Sequence, residues 1–315
     1  MPAVRLSVIT PSFNQSRFIE RTIRSVLDQE LSAVELLVMD GGSTDGTVDI
    51  LRAYSDRCFW VSESDKGQAH AINKGLSIAR GDIIGWLNSD DIYRPGALET
   101  VLRFFDAHPD IDLVYGDAEF IDEDDEIIAP YYTEPWNLER LADVCYICQP
   151  AAFFRQSVTT RYGPLDESLH YCMDYEYWLR LGQSGARVAR IDGQLAGSRL
   201  YPNTKTLGSR LKFHTEINSM LRARLGRVPD RWLTNEAHTR LDLRGMTYDK
   251  QPLRFAVEVS LLSYFLALRW NRHISASLLS TTRGWIVGAL QHPAQQRGGQ
   301  AAEHLRRAFL RALGA

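Results

Sequence analysis

Between Leu6 and Tyr115 the chain alternates short apolar runs with helical apolar stripes, and this repetition restricts the fold more than any single residue. Leu6, Val8 and Ile9 predict a first strand, and Asn14 to Arg17 predict a turn. Ile19, Ile23, Val26 and Leu27 then recur at helical spacing. Val34 to Met39 predicts a second strand and Val48 to Tyr54 a second helix. Cys58 to Val61 reads as a third strand, followed by a helix carrying Ile72, Leu76 and Ala79. Asp82 to Leu87 makes the fourth strand. Pro95 opens a helix with Leu98, Val101, Leu102 and Phe105 on one face, and Leu113 to Tyr115 continues the alternation. Strands this apolar, separated by helices, imply an α/β sheet covered on both faces. Ligands of such sheets sit at the carboxyl ends of the strands. Four polar clusters fall there: Thr10 to Asn14, Asp40 to Asp45, Ser62 to Gly67 and Asn88 to Asp91.

After Tyr115 the pattern changes. Residues 117–135 are acidic and turn-rich, Ala151 to Phe154 predicts a short strand, Met173 to Leu181 a helix and Arg187 to Ile191 a returning strand. Leu207 to Leu225 is helical, with further helical stretches near 232–243, 251–270 and 300–313. The expected division is a catalytic domain over 1–225, its donor part about 1–116 and its acceptor part about 117–225, with a helical extension over 226–315. A net charge of −3 gives no global pull toward nucleic acid. The charge is uneven: from Gln251 onward eight arginines face only Glu258 and Glu303. That suggests a tail meeting something anionic, a lipid surface among the candidates. Four cysteines are too few for a disulfide scaffold, and Cys145 and Cys148 read as buried thiols before a zinc pair. No segment reaches the apolar length of a membrane span and no long apolar leader opens the chain, so the expected location is the cytoplasm.

Each polar cluster has a plain reading beside a functional one. Asp90-Asp91, at a strand end, can hold a hard divalent cation or can merely cap a turn. The three glycines within Asp40 to Gly46 allow close approach of a ligand, and Asp40 can accept from a nucleobase N–H, whereas Ser43 or Thr44 can equally cap the next helix. Asp65 can bind ribose or sugar hydroxyls, Lys66 a phosphate, and Phe13 a base. Asp174, in Met173-Asp174-Tyr175-Glu176-Tyr177-Trp178, stands near a helix start where a general base can be held, or serves as an N-cap. Tyr175, Tyr177 and Trp178 can stack on a sugar or fill the core.

Together, Thr10-Pro11-Ser12-Phe13-Asn14, Asp40-Gly41-Gly42-Ser43-Thr44-Asp45-Gly46-Thr47, Ser62-Glu63-Ser64-Asp65-Lys66-Gly67, Asn73-Lys74-Gly75, Leu87-Asn88-Ser89-Asp90-Asp91 and Met173-Asp174-Tyr175-Glu176 resemble family 2 of the glycosyltransferases, over roughly residues 5–205. The resemblance implies a GT-A fold: a Rossmann-like nucleotide-binding half with a mixed central sheet. It also implies inverting transfer from a nucleoside-diphosphate sugar, UDP or dTDP favoured, to a hydroxyl of a saccharide or lipid-linked acceptor, with Mn2+ or Mg2+. By that resemblance Asp40, Asp65 and Asp90 hold the donor, Asp91 holds the metal, Asp174 is the base and Gln149 lines the acceptor side; Thr10, Pro11, Phe13, Asn14, Ser43, Lys66, Gly67 and Asn88 are further candidates beside the donor, and Tyr175 and Trp178 beside the acceptor. Two departures stand out. Met173 replaces the first acid of a frequent acidic pair, and Tyr201 replaces the histidine of a frequent Arg-x-His element, leaving Arg199 or Lys205 to counter phosphate charge. The alternatives are a sugar-phosphate nucleotidyltransferase, which wants a Gly-rich basic loop after the first strand, and a non-catalytic carbohydrate-binding protein. The basic tail is expected to touch a membrane surface, form a homodimer contact, or fold back on its own protein.

Overall fold

The computed structural model describes residues 4–202 and 204–291. The expected helix near 300–313 lies outside them. The chain divides into two compact units, one comprising residues up to Leu138 with Tyr146–Tyr201, the other Glu139–Cys145 with the chain from Pro202 onward. The division falls at Tyr201, before the boundary expected near 225.

The first unit is a mixed sheet flanked by helices. In chain order it comprises β1 (Leu6–Ser12), α1 (Ile19–Leu27), β2 (Val34–Asp40), α2 (Thr47–Ala53), β3 (Phe59–Ser62), α3 (Gln68–Ile78), β4 (Ile83–Trp86), β5 (Ile92–Tyr93), α4 (Ala97–Ala107), β6 (Leu113–Ile121) and β7 (Ile127–Pro130). After α5 (Leu138–Asp143), which belongs almost wholly to the second unit, and a 3-10 turn at Gln149–Ala151 come β8 (Ala152–Arg155), α6 (Ser157–Tyr162), α7 (Met173–Gln183) and β9 (Val188–Arg199). The strand order is β3-β2-β1-β4-β8-β6-β9-β5, with β7 on β6. The strands β3, β2, β1 and β4 run parallel, so their carboxyl ends share one edge, and β8 enters antiparallel. Leu6, Val8, Ile23, Val38 and Leu98 meet in the core.

Two strands run past their expected ends. β6 continues through Asp117 and Glu119, whose charges looked like loop, because arginines on neighbouring elements answer them: Arg190 donates to Asp117 at 2.6 Å and Arg94 to Glu119 at 2.8 Å. β9 crosses Asp192-Gly193, a turn signal, through a register shift against β6. Gly193 takes a positive φ of 146° there.

The second unit contains α8 (Lys205–Gly208), α9 (Arg210–Leu225), α10 (Asp230–Asp242), α11 (Pro252–Asn271) and α12 (Ala276–Gln291). The last was not expected, because its buried face is made of Leu278, Thr282 and Ala289, too small and polar to show as an apolar stripe. Asn271 clamps the start of α10: its amide donates to the Val228 carbonyl and accepts from the Val228 N–H, each at 2.8 Å. On α9, His214 is 1% exposed and neither ring nitrogen has a hydrogen-bond partner. Burial, with Arg210 adding, pushes it down to about 3. The folded chain therefore holds His214 neutral while the unfolded chain takes up a proton below about 6.5, so stability rises with pH across that window. We expect unfolding free energy to drop by roughly 2 kcal/mol on moving from pH 7 to about pH 5 through this group. Thermal melts across that range should show the slope in the wild type and a flatter one in His214→Phe; parallel slopes would refute it.

Candidate active site

The four loops at the shared strand edge are tied to one another by hydrogen bonds. From the loop after β1, the Asn14 N–H donates to Ser43 Oγ at 2.7 Å and Asn14 Oδ1 accepts from the Thr44 N–H at 2.9 Å. Asn14 takes a positive φ of 52°, which asparagine tolerates, and this turns its side chain onto the second loop. The Gln15 N–H donates to Thr47 Oγ1 and the Ser16 N–H to Asp45, each at 2.9 Å. Burial works to raise the Asp45 carboxyl, but bonds from the Thr47 hydroxyl and the Ser16 and Thr47 N–H groups outweigh it and hold it at about 2.

At the end of β2, Asp40 is 1% exposed and spends its carboxylate on its surroundings. It accepts from the Gly42 and Ser43 N–H groups at 3.1 and 2.8 Å and from the hydroxyls of Ser43 and Ser62 at 2.5 and 2.6 Å. This departs from a direct contact with the base: here Asp40 shapes the loop and ties it to β3. The next residue, Gly41, has the closest neighbours of the loop. A Cβ there would stand 2.8 Å from Asp65 Oδ2 and 3.4 Å from the Phe13 ring, so only glycine lets the three meet. Phe13 is 60% exposed, an open ring face beside that backbone. Thr10, Pro11 and Ser12 lie buried in β1, and the hydroxyls of Thr10 and Ser12 have no hydrogen-bond partner.

Asp65 also accepts from the Gly67 N–H at 2.7 Å, closing the turn before α3. Gly67 has a φ of 119°, and a Cβ there would lie 3.8 Å from the His170 ring, which brings the segment before α7 beside this loop. No sequence signal singled out His170. Lys66 is exposed. Gln68, the first residue of α3, donates to Asn88 Oδ1 at 2.6 Å and so joins the third loop to the fourth.

Asn88 is a hub. Its oxygen accepts from Gln68 and from the Trp86 indole, and its amide donates to Asp91 Oδ2 at 3.0 Å and to Gln149 Oε1 at 2.8 Å. Those four bonds use its full capacity. Gln149 is buried and donates in turn to the Trp86 carbonyl at 2.6 Å, so both ends of its amide are engaged in positioning rather than turned to an acceptor.

The two aspartates of the fourth loop differ. Asp91 is 3% exposed; its Oδ1 accepts from the Arg199 N–H at 2.8 Å and its Oδ2 from Asn88. Burial, with Asp90 adding, pushes its carboxyl up to about 8 against the pull of those N–H groups. Both of its oxygens are engaged by N–H donors within the protein, whereas Asp90 is the more open member of the pair. Asp90 is half-buried and accepts from the Tyr201 hydroxyl at 2.9 Å. Tyr201 accepts from Gln15 Nε2 at 3.3 Å and tilts against the Phe18 ring, 5.0 Å between centroids. The first and fourth loops are thereby joined as well. Among the described residues no cluster of three or more histidine, cysteine, aspartate or glutamate side chains is placed to hold a metal ion.

The Arg199 side chain is fully enclosed, stacked 4.8 Å over Phe18 and donating to the Asp90 and Asp122 carbonyls and to Asp125. Its donors serve the loops, which removes it as a counter-charge for phosphate. Tyr175 and Trp178 are 2% and 0% exposed and belong to the core, Trp178 packing on Phe154 and Tyr177, so neither is presented to a sugar. Lys205 is exposed at the start of α8, in the second unit. Asp174, by contrast, is half-exposed, and every other residue from Cys172 to Leu179 is buried. Its position in the first turn of α7 gives it the favourable end of the helix dipole. Glu176 points into the protein and pairs with Arg180 at 3.0 Å. All four cysteines are thiols, with Cys148 and Cys172 buried and Cys58 and Cys145 only half-buried.

The fold is shared with known proteins. Residues 7–163 match the family described as Glycosyl transferase family 2. The chondroitin synthase of Escherichia coli is 31% identical over 184 residues, covering 57% of this chain; the chain spans only 27% of that relative's length. Among solved structures, S. aureus TarS 1–349 in complex with UDP-GlcNAc superposes with a TM-score of 0.61 at 16% identity, covering 93% of each chain. The mannosyltransferase PcManGT from Pyrobaculum calidifontis, in complex with GDP-Man and Mn2+, gives 0.59 at 16% identity, covering 98% of this chain and 84% of that one. The family match places the chain in glycosyl transferase family 2, the inverting glycosyltransferases that draw on nucleoside-diphosphate sugars, and the solved structures share its GT-A fold.

Proposed function

We propose that this chain transfers one sugar from a uridine or thymidine diphosphate sugar to a hydroxyl of a saccharide or lipid-linked acceptor, with Asp174 as general base. The observation that carries the reading is the closed circuit of loops: Asn14 to Ser43, Asp40 to Ser62, Gln68 to Asn88, and Gln15 through Tyr201 to Asp90. A rim fixed in this way is pre-organised for one ligand, and pre-organisation is what lets binding energy serve the chemical step. Phe13 and the Gly41 backbone offer a platform for the base, and Asp65 beside them suits ribose or sugar hydroxyls. The acceptor oxygen attacks the anomeric carbon from the face opposite the diphosphate. As that bond forms, the bond from the anomeric carbon to the diphosphate oxygen breaks, and the hydroxyl proton passes to the Asp174 carboxylate.

A divalent cation, Mn2+ or Mg2+, fits here on a single protein carboxylate. Asp90 is the half-exposed member of its pair, and such cations complete their shells with phosphate oxygens and water. When bound, the ion supplies charge neutralisation for the departing diphosphate. Tyr201 and Gln15 hold Asp90 in place for it.

The pyrimidine preference follows from the small loop at Gly41 and from the UDP-GlcNAc held by the structurally similar TarS; the GDP-Man of PcManGT is the competing case. Thermal-shift measurements with UDP, dTDP and GDP, each with Mn2+, test the reading. UDP or dTDP at about a hundred times its Kd is expected to stabilise the chain by roughly 3 kcal/mol, seen as a rise of several degrees in Tm. Stabilisation by GDP alone would overturn the base preference, and none by any nucleotide would overturn the donor site.

A further inference from the structure

On α11 the two faces are both apolar. One buries Phe255, Val259, Ser263 and Leu266, while Leu253, Val257, Leu261, Phe265 and Leu268 stand exposed on the other, Leu261 and Phe265 at 60% each. At 100° per residue those five fall within a sector of about 120°, a continuous stripe along the helix. Large apolar side chains gathered in one exposed patch mark an interaction surface, whereas single exposed ones do not. Past Glu258 the charges on α11 and α12 have one sign. Arg254 is answered by Glu258 at 2.8 Å, but Arg269 and Arg272 at the end of α11 and Arg283 on α12 are exposed, and no acid occurs from Val259 to Gln291.

We propose that this face of α11 docks on the surface of a bilayer that contains anionic lipid, with the helix lying in the interface plane. Among the described residues no helix is long and apolar enough to cross a membrane, so the stripe rests on the bilayer rather than spanning it. The charge selects the occupant. A second copy of the chain would bring arginines against arginines. The chain's own residues 292–315 carry Arg297, Arg306, Arg307 and Arg311 against Glu303 alone and are repelled in the same way. An anionic headgroup layer attracts all of them, while the acyl region takes up Leu261 and Phe265.

The test is flotation of the full chain, without nucleotide, on vesicles of phosphatidylcholine and phosphatidylglycerol in equal parts, beside vesicles of phosphatidylcholine alone. Because no donor or turnover is involved, its outcome is separate from that of the proposed activity. The chain is expected to float with the mixed vesicles, less so as salt rises, and to stay behind with phosphatidylcholine alone. Leu261→Glu combined with Phe265→Glu should abolish flotation, and Arg269→Glu combined with Arg272→Glu should weaken it at least roughly tenfold, with unchanged circular dichroism in both. All four positions are exposed, so folding is not at stake. A folded wild type that stays behind overturns the proposal, as does equal flotation on both vesicle types. Sedimentation showing a dimer that Leu261→Glu splits, without flotation, assigns the stripe to a second copy instead.

Discussion

Asp174→Asn is expected to lower turnover at least about a hundredfold while leaving donor affinity within a factor of about two. The base has work to do only while the acceptor oxygen forms its new bond, so its loss falls on the chemical step. Asparagine keeps the size and polarity of the side chain but cannot take the proton. The position supports this separation: Asp174 is the half-exposed residue in a turn whose neighbours Met173, Tyr175 and Glu176 are buried, so α7 keeps its packing in the variant. Glu176 cannot substitute, because it is enclosed and paired with Arg180. Steady-state kinetics on a competent acceptor, together with calorimetric titration of the nucleoside diphosphate, measure both quantities. Near-normal turnover would place the base elsewhere; a parallel collapse in nucleotide affinity would make Asp174 a binding residue.

The second large effect separates the adjacent aspartates. Asp90→Asn should remove most of the Mn2+-dependent part of nucleoside-diphosphate affinity, at least roughly tenfold or ~1.4 kcal/mol. Asp91→Asn should act chiefly on stability. Its carboxyl sits buried between the Arg199 N–H and the Asn88 amide, and an asparagine there sets its own N–H2 against one of those donors. An unmatched buried donor of that kind costs about 1–3 kcal/mol. Titration of UDP with and without Mn2+, alongside denaturant unfolding, reads both variants. If Asp91→Asn abolishes the metal effect in a chain of normal stability while Asp90→Asn retains it, the assignment is reversed.

The sequence carried the order of β1 to β4 and the loops after them because those strands are short apolar runs, each followed by a polar loop rich in glycine, serine, asparagine or aspartate, signals that depend on nearest neighbours alone. What it hid depends on partners far along the chain. Asp117 and Glu119 read as loop because the sequence does not show Arg190 and Arg94 beside them, and α12 buries Thr282 and Ala289 with a single leucine. At the site, residue type pointed to Asp90, Asp91, Arg199, Gln149 and Trp178 with equal force. Burial divides them: Arg199 and Gln149 hold the rim from below, and Trp178 is core. Burial of a side chain is a tertiary property, and the adjacent aspartates of this strand-end loop differ in it without any mark in their spelling. His170, near Gly67, had no signal at all.

The central claim is one displacement at the anomeric carbon, and acceptor-free hydrolysis of an α-configured nucleoside-diphosphate sugar tests it most directly. Water takes the acceptor's place, and proton NMR follows the free sugar before it mutarotates. The β anomer is expected to appear first, at a rate that Asp174→Asn suppresses. Release of the α anomer first would contradict a single inverting displacement.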